Sequence, residues 1–225
     1  MHPYQIRVLE CAASETDLAT IVSLRPEEMI TSCASKLKGQ VSKQLRMKLG
    51  LEDPTHLLSR GYFGCTIGKN NAAQIERYLD AQAKHHGYDK RKRPPIFVEK
   101  YTLDAADQAR LMTNHSYVIA QFHVVLATRW WRGVFGSSEG QKVTREWRKR
   151  QADLRIAIMK VSFVPDHVHI AIRAHPSISL PDTIAALMNA AQDTIPIALI
   201  SVGLDRLWQP CAYFGSYGYG NTLKV

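Results

Sequence analysis

The segment Pro165-Asp166-His167-Val168-His169 carries the sharpest chemical signal in this sequence. Alternate side chains of a strand share a face, so His167 and His169 project together while Val168 points the other way. Two imidazoles about 7 Å apart on one strand face can hold a single divalent cation. A second group sits in Tyr78-Leu79-Asp80-Ala81-Gln82. Residues four apart share a helix face, which places Tyr78 beside Gln82, and His85 continues the stripe. A tyrosine hydroxyl can act as a nucleophile, and a glutamine carbonyl can complete a metal shell of oxygen and nitrogen. A third group is Trp130-Trp131-Arg132, where aromatics beside arginine suit stacking on unpaired bases. Each group also has an ordinary reading: half-buried histidines, a surface tyrosine on an amphipathic helix, a hydrophobic anchor.

The elements that must position these residues follow from periodicity. Tyr117 to Thr128 is rich in β-branched and aromatic residues and reads as a buried strand. Leu154 to Val164 is a second strand, Pro165-Asp166 a turn, and His167 to Ala174 a third strand. Arg129 to Arg150 holds a loop and then a charged helix. Ser179 with Asp182 starts a helix running through Asp193. Glu27 to Arg46 reads as another, with acidic residues in its first turn. Asn70 or Asn71 can cap the helix that carries Tyr78. Strands interleaved with helices and joined by short turns predict an α+β fold with a mostly antiparallel sheet.

Composition narrows the partner. The 225 residues carry a formal net charge of +9, which suits a polyanion such as nucleic acid. The positive residues cluster: Lys84 lies near Lys90, Arg91, Lys92 and Arg93, and Lys142 near Arg145, Arg148, Lys149 and Arg150. No apolar run reaches the roughly 18 residues that span a bilayer, so no membrane partner is expected. The four cysteines form no CxxC pair, and no signal peptide is legible. Both point to reduced thiols in a cytoplasmic protein.

An internal repeat organises the chain. TIVSLRPEEMITSCASKLKG from Thr20 aligns with HIAIRAHPSISLPDTIAALMNA from His169 at a shift of 150 residues, Pro26 falling opposite Pro176 (176 − 26 = 150). The turn GYFGCTIGKNN from Gly61 recurs as AYFGSYGYGN from Ala212. Copy one is drawn as residues 1–113 and copy two as residues 114–225. Opposite His167 and His169, copy one has Asp17 and Ala19. Copy two ends its resemblance before any tyrosine helix, and Lys36-Leu37-Lys38-Gly39 becomes Ala186-Leu187-Met188-Asn189. Each copy keeps one part of a site that the other lacks.

Taken together, PDHVHI after an apolar strand, FHVVLATRWWRGVF, LKG and GYFGCTIGKNNAAQIERYLDAQAKHH resemble the core of single-tyrosine HUH transposases and their REP-associated relatives. The resemblance implies two ferredoxin-like HUH units with antiparallel sheets, here fused as an intramolecular pseudo-dimer with one of two sites lost. It implies Tyr78 as the catalytic nucleophile, forming a 5′-phosphotyrosine on single-stranded DNA. It implies His167, His169 and Gln82 as ligands of Mg2+ or Mn2+, with His85 a substitute for Gln82. The expected DNA contacts are Lys36, Lys38, Arg91, Arg93, Arg129, Trp130, Trp131 and Arg132, with a hairpin beside the strand. A homo-oligomer is compatible with the resemblance. The rival expectations are a domesticated, non-catalytic binder of DNA hairpins and an RNA-binding or processing role.

Overall fold

A computed structural model describes residues 6–51, 57–87, 94 and 96–218. Its elements run β1 (Ile6–Ala13), β2 (Leu18–Leu24), α1 (Ile30–Leu49), β3 (Phe63–Cys65), α2 (Ala72–Asp80), α3 (Gln82–His85), β4 (Phe97–Lys100) and α4 (Ala105–Leu111). They continue as β5 (Tyr117–Ala127), α5 (Ser137–Arg150), β6 (Ile156–Val164), β7 (His167–Ala174), α6 (Leu180–Thr194), α7 (Pro196–Ser201) and β8 (Tyr213–Ser216). The strands and helices expected around the histidines form within a residue or two of their sequence limits. Ser179 caps α6 by accepting from the Asp182 amide, and Asn71 with Gln74 makes a full capping box for α2. Helix α1 starts later than its acidic residues suggest. Met29 is its N-cap, and Glu28 turns instead to pair with Lys36 at 2.8 Å.

One mixed sheet has the order β3-β5-β7-β6-β4, with β8 pairing the same edge of β5 as β3. Its pairs are antiparallel except β3 with β5. On one face Val124, Leu126, Val161, Phe163, Val168, Ile170 and Ile172 pack against Val143 and Trp147 of α5 and Leu180, Ile184 and Leu187 of α6. The Trp147 indole N–H donates to the Leu187 carbonyl at 2.7 Å, so this large ring is buried without an orphaned donor. On the other face Ala171 packs with Ile75 and Leu79 of α2 and with Tyr217. Both faces of β6 and β7 are therefore covered, which explains why they read as continuous apolar runs. No helix among the described residues is long and apolar enough to cross a membrane.

A bulge in β6 decides what faces α2. Ile156 and Ile158 pair with Ala174 and Ile172, then the register slips so that Lys160 opposes Ala171 and Ser162 opposes His169. The extra residue, Met159, changes the alternation, as a bulge must. Val161 and Phe163 can then stay in the α5–α6 core while Met159 and Lys160 turn toward α2.

The β1–β2 hairpin repeats this pairing. Ile6, Arg7 and Val8 oppose Leu24, Ser23 and Val22, and Glu10 opposes Ile21 after a slip at Leu9. Every one of these positions is the β6–β7 position less 150. Helices α1 and α6 begin 150 residues apart (180 − 30), as do β3 and β8 (213 − 63). The segments that follow β3 and β8 touch reciprocally. Thr66 Oγ1 donates to the Tyr217 carbonyl at 2.7 Å, and Ser216 Oγ donates to the Ile67 carbonyl at 2.7 Å. A Cβ on Gly68 would lie 2.2 Å from the Ser216 carbonyl oxygen, and one on Gly218 would lie 2.1 Å from that of Thr66. Exchanging Thr66, Ile67 and Gly68 for Ser216, Tyr217 and Gly218, each 150 residues away, returns the same contacts.

The described residues nevertheless do not form two complete ferredoxin-like units. The β1–β2 hairpin is a two-stranded sheet of its own, without counterparts of β5 and β4 beside it. Strands β3 and β4, which precede residue 114, are instead edges of the sheet that carries the histidines. A boundary at 113/114 thus divides the sequence without dividing that sheet.

Candidate active site

His167 and His169 share the face of β7 that α2 and α3 cover, with ring centroids 5.0 Å apart. Both are nearly buried. His167 Nδ1 lies 2.7 Å from the Asp166 carboxylate. The hydrogen bond from His167 holds the Asp166 carboxyl below its ordinary range, against the opposing effect of burial. An imidazole whose Nδ1–H is donated to a carboxylate presents its Nε2 lone pair, the arrangement that orients metal-bound histidines. His169 Nδ1 lies 3.0 Å from His123 Nε2 of β5, while His169 Nε2 is buried with no hydrogen-bond partner. Burial, with His167 as the next cause, pushes His169 down to about 2. Burial likewise pushes His123 down to about 4. Both rings are therefore neutral at physiological pH, the state in which imidazole ligates a cation.

Helix α2 delivers Tyr78 to this face. Ile75 and Leu79, four apart, form its buried stripe. Two lysines hold its other flank: buried Lys160 of β6 pairs with Asp80 at 2.6 Å and donates to the Glu76 carbonyl at 3.0 Å, and Lys100 of β4 pairs with Glu76 at 2.7 Å. Tyr78 then stands edge-on to His169, centroid to centroid 5.3 Å, and 5.9 Å from His123. The tyrosine of the first half and the histidines of the second half are thus brought together within one chain.

The helix breaks at Ala81, whose amide is shared between the carbonyls of Arg77 and Tyr78, and a short turn, α3, follows. Gln82 is fully buried. Its Nε2 donates to the Tyr78 carbonyl at 2.8 Å, and its Oε1 has no partner. Because of the break, His85 packs edge-on against Tyr78 at 5.3 Å. His86 is the residue that reaches the pair, its ring 4.8 Å from that of His167. The ligand atoms of His86, His167 and His169 all lie within 4.8 Å of one another. Sequence spacing put His85 on the stripe and passed over His86, although His86 is four residues beyond Gln82. His123 and Lys160 were passed over too, because each pairs with its target across strands or between strand and helix.

The orphaned His169 Nε2 and Gln82 Oε1 are a test of whether these residues fit a cation. A buried polar atom without a partner is costly, and a cation held among His86, His167 and His169, whose ligand atoms lie within 4.8 Å of one another, would satisfy His169 Nε2. The donor set fits.

The expected DNA contacts divide. Thr128 closes β5 through its hydroxyl, 2.7 Å from the Arg132 carbonyl and 2.9 Å from that of Asp166, which ties the Arg129–Trp131 turn to the histidine hairpin. Trp130 and Trp131 both adopt left-handed backbone (φ 58° and 56°) and are 68% and 62% exposed. The Trp131 ring is 6.3 Å from that of His167, and the Arg129 guanidinium lies 5.3 Å over Trp130. Arg132 is exposed beside them. Lys36 and Lys38 are engaged within the chain. Lys36 pairs with Glu28, and Lys38 donates to the carbonyls of Ser59, Arg60 and Gly61. Arg91 and Arg93 lie outside the described residues.

Residues 115–223, just under half of the chain, match the family described as Transposase IS200 like. Among solved structures, the chain is similar to a candidate transposase from Deinococcus radiodurans R1. The identity is 20% and the TM-score 0.41, over 46% of this chain and 82% of that one. It is also similar to a REP-associated tyrosine transposase bound to a REP hairpin, at 16% identity and TM-score 0.34, over 49% of this chain and 64% of that one. No curated protein matches the chain. The family match supports a transposase-type function, and its segment contains both histidines and the tryptophan turn while Tyr78 lies outside it.

Proposed function

We propose that the chain is a metal-dependent single-stranded DNA endonuclease and strand transferase with one composite active site. The observation that carries this reading is the placement of Tyr78 against His169, although the two come from segments 91 residues apart (169 − 78). In this reading Tyr78 Oη attacks the scissile phosphorus. The Oη–P bond forms, the P–O3′ bond breaks, the phenol proton passes to solvent, and the departing 3′-oxygen takes up a proton from solvent to leave as a hydroxyl. The phosphotyrosine link conserves the bond energy, so a 3′-hydroxyl can reverse the step without ATP. His167, His169 and Gln82 would hold the divalent ion, which when bound supplies Lewis-acid polarisation of the phosphate. Asp166 and His123 fix the orientation of the two imidazoles. Trp130 and Trp131 offer stacking faces for unpaired bases, and Arg129 and Arg132 meet the backbone.

The reading extends to the architecture. The matched registers of the two hairpins, the common 150-residue shift and the reciprocal contacts at Thr66 and Ser216 support a fused pseudo-dimer in which one site has decayed. Incubation with labelled single-stranded DNA and a divalent metal is expected to give a protein-linked species that survives denaturation, and Tyr78→Phe is expected to abolish it. An equal yield from that variant would remove Tyr78 as nucleophile. Absence of any adduct from the native chain, with hairpin binding intact, would favour a non-catalytic binder. Mixing Tyr78→Phe with His167→Ala is expected to stay inactive, because each chain then lacks one part of its own site. Recovery would place the site between chains.

A further inference from the structure

We propose that His86 is a direct ligand of the cation with His167 and His169, and that this three-imidazole set selects a transition-metal ion over Mg2+. The inference rests on the assignment of His167 and His169 as ligands in the proposed function. It adds a third nitrogen ligand to the site expected from one glutamine and two histidines.

Three observations carry it. The ligand atoms of the three histidines lie within 4.8 Å of one another, the only such group among the described residues. Nitrogens bound tetrahedrally to one ion at about 2.1 Å are about 3.4 Å apart. His86 is exposed at the end of a four-residue helix, so its side-chain torsions can close the group around an ion. Next, the partners of the two buried histidines leave their Nε2 atoms for this purpose. Asp166 occupies Nδ1 of His167 and His123 occupies Nδ1 of His169, while His169 Nε2 has no partner. Finally, the group contains no carboxylate. Asp166 is committed to His167. Mg2+ demands oxygen ligands in octahedral array and parts reluctantly with water. Imidazole instead suits zinc, copper, iron and nickel, and affinity rises along the divalent series from Mn2+ through Co2+ and Ni2+ to Cu2+, with Zn2+ below Cu2+.

The test is titration of the chelator-stripped full chain with Co2+, read by its visible absorption and by calorimetry, without DNA. The native chain is expected to bind one Co2+, to release it to Zn2+, and to retain it against a hundredfold excess of Mg2+. His86→Ala is expected to weaken Co2+ at least about tenfold, whereas His85→Ala leaves it unchanged. Circular dichroism of each variant checks the fold. Because His86 is exposed, its loss should leave the spectrum intact, and Zn2+-induced shifts of the His86 ring nitrogens in the native chain give a readout that needs no variant. Equal Co2+ affinity in His86→Ala, unshifted His86 nitrogens, or displacement by Mg2+ at comparable concentration would each overturn the proposal. DNA cleavage is measured separately. Co2+ binding through His86 without cleavage would refute the proposed function and leave this inference standing.

Discussion

The β6–β7 and β1–β2 hairpins share one backbone plan and have opposite fates. Residue by residue, 150 apart, they pair alike and bulge alike. Yet Ile158 is 3% exposed and its counterpart Val8 is 47% exposed. The bulged Met159 packs on the tyrosine helix, and its counterpart Leu9 is exposed. His167 and His169 stand where Asp17 and Ala19 stand in the other. The difference lies in the neighbours. One hairpin has β5 and β4 on its edges and helices on both faces, so its side chains are desolvated and held. A pairing pattern is set by backbone and bulge. A site needs the additional layers that fix imidazoles and exclude water.

The largest contrast should appear in stability. Ile158→Ala is expected to cost about 2–5 kcal/mol by chemical denaturation, as a cavity in a packed core does. Val8→Ala should cost under about 0.5 kcal/mol, as exposed positions do. Similar costs would mean that β1–β2 is packed against something in solution. The next contrast concerns Lys160 and its counterpart Glu10 (160 − 10 = 150). Lys160→Met removes the tie to Asp80 and leaves that carboxylate in water, so the fold should survive while α2 loosens. Adduct formation should fall about a hundredfold, the cost of a displacement near 1 Å at the reacting group. Glu10→Gln should leave the rate unchanged. Equal rates in the two variants would show that Lys160 does not position Tyr78.

A smaller effect is expected from acid. His123 and His169 are held neutral in the fold, with values of about 4 and about 2, while an unfolded histidine protonates near about 6.5. Below that pH the unfolded chain binds more protons than the folded one, so stability is present above about 6.5 and falls as pH drops toward 4. The metal-free chain should lose several degrees of Tm between pH 7 and pH 5. His123→Phe should flatten part of that slope. The β1–β2 hairpin has no histidine to contribute, so a slope unchanged by His123→Phe would move the acid sensitivity elsewhere.

Much of this was legible from residue order. Alternation put His167 and His169 on one face, and a capping pair started α2 before Tyr78. These are local properties: strand alternation, helix spacing and cap chemistry depend on a few neighbouring residues. The sequence also offered His85 as the stripe's continuation. The break at Ala81 turned that stripe, so that His86 meets His167 and His85 meets Tyr78. Lys36 and Lys38 are expected at the DNA from the resemblance of Lys36-Leu37-Lys38-Gly39, and in the fold they also meet a carboxylate and carbonyls of the same chain. Spacing could not reveal that β3 and β4 would join the histidine sheet, that His123 would meet His169, or that the bulge would aim Lys160 at Asp80. Those are contacts between residues 46 to 80 positions apart (169 − 123 and 160 − 80). They form because burying two faces of one sheet fixes which side chains meet, and that choice is made by the packed whole.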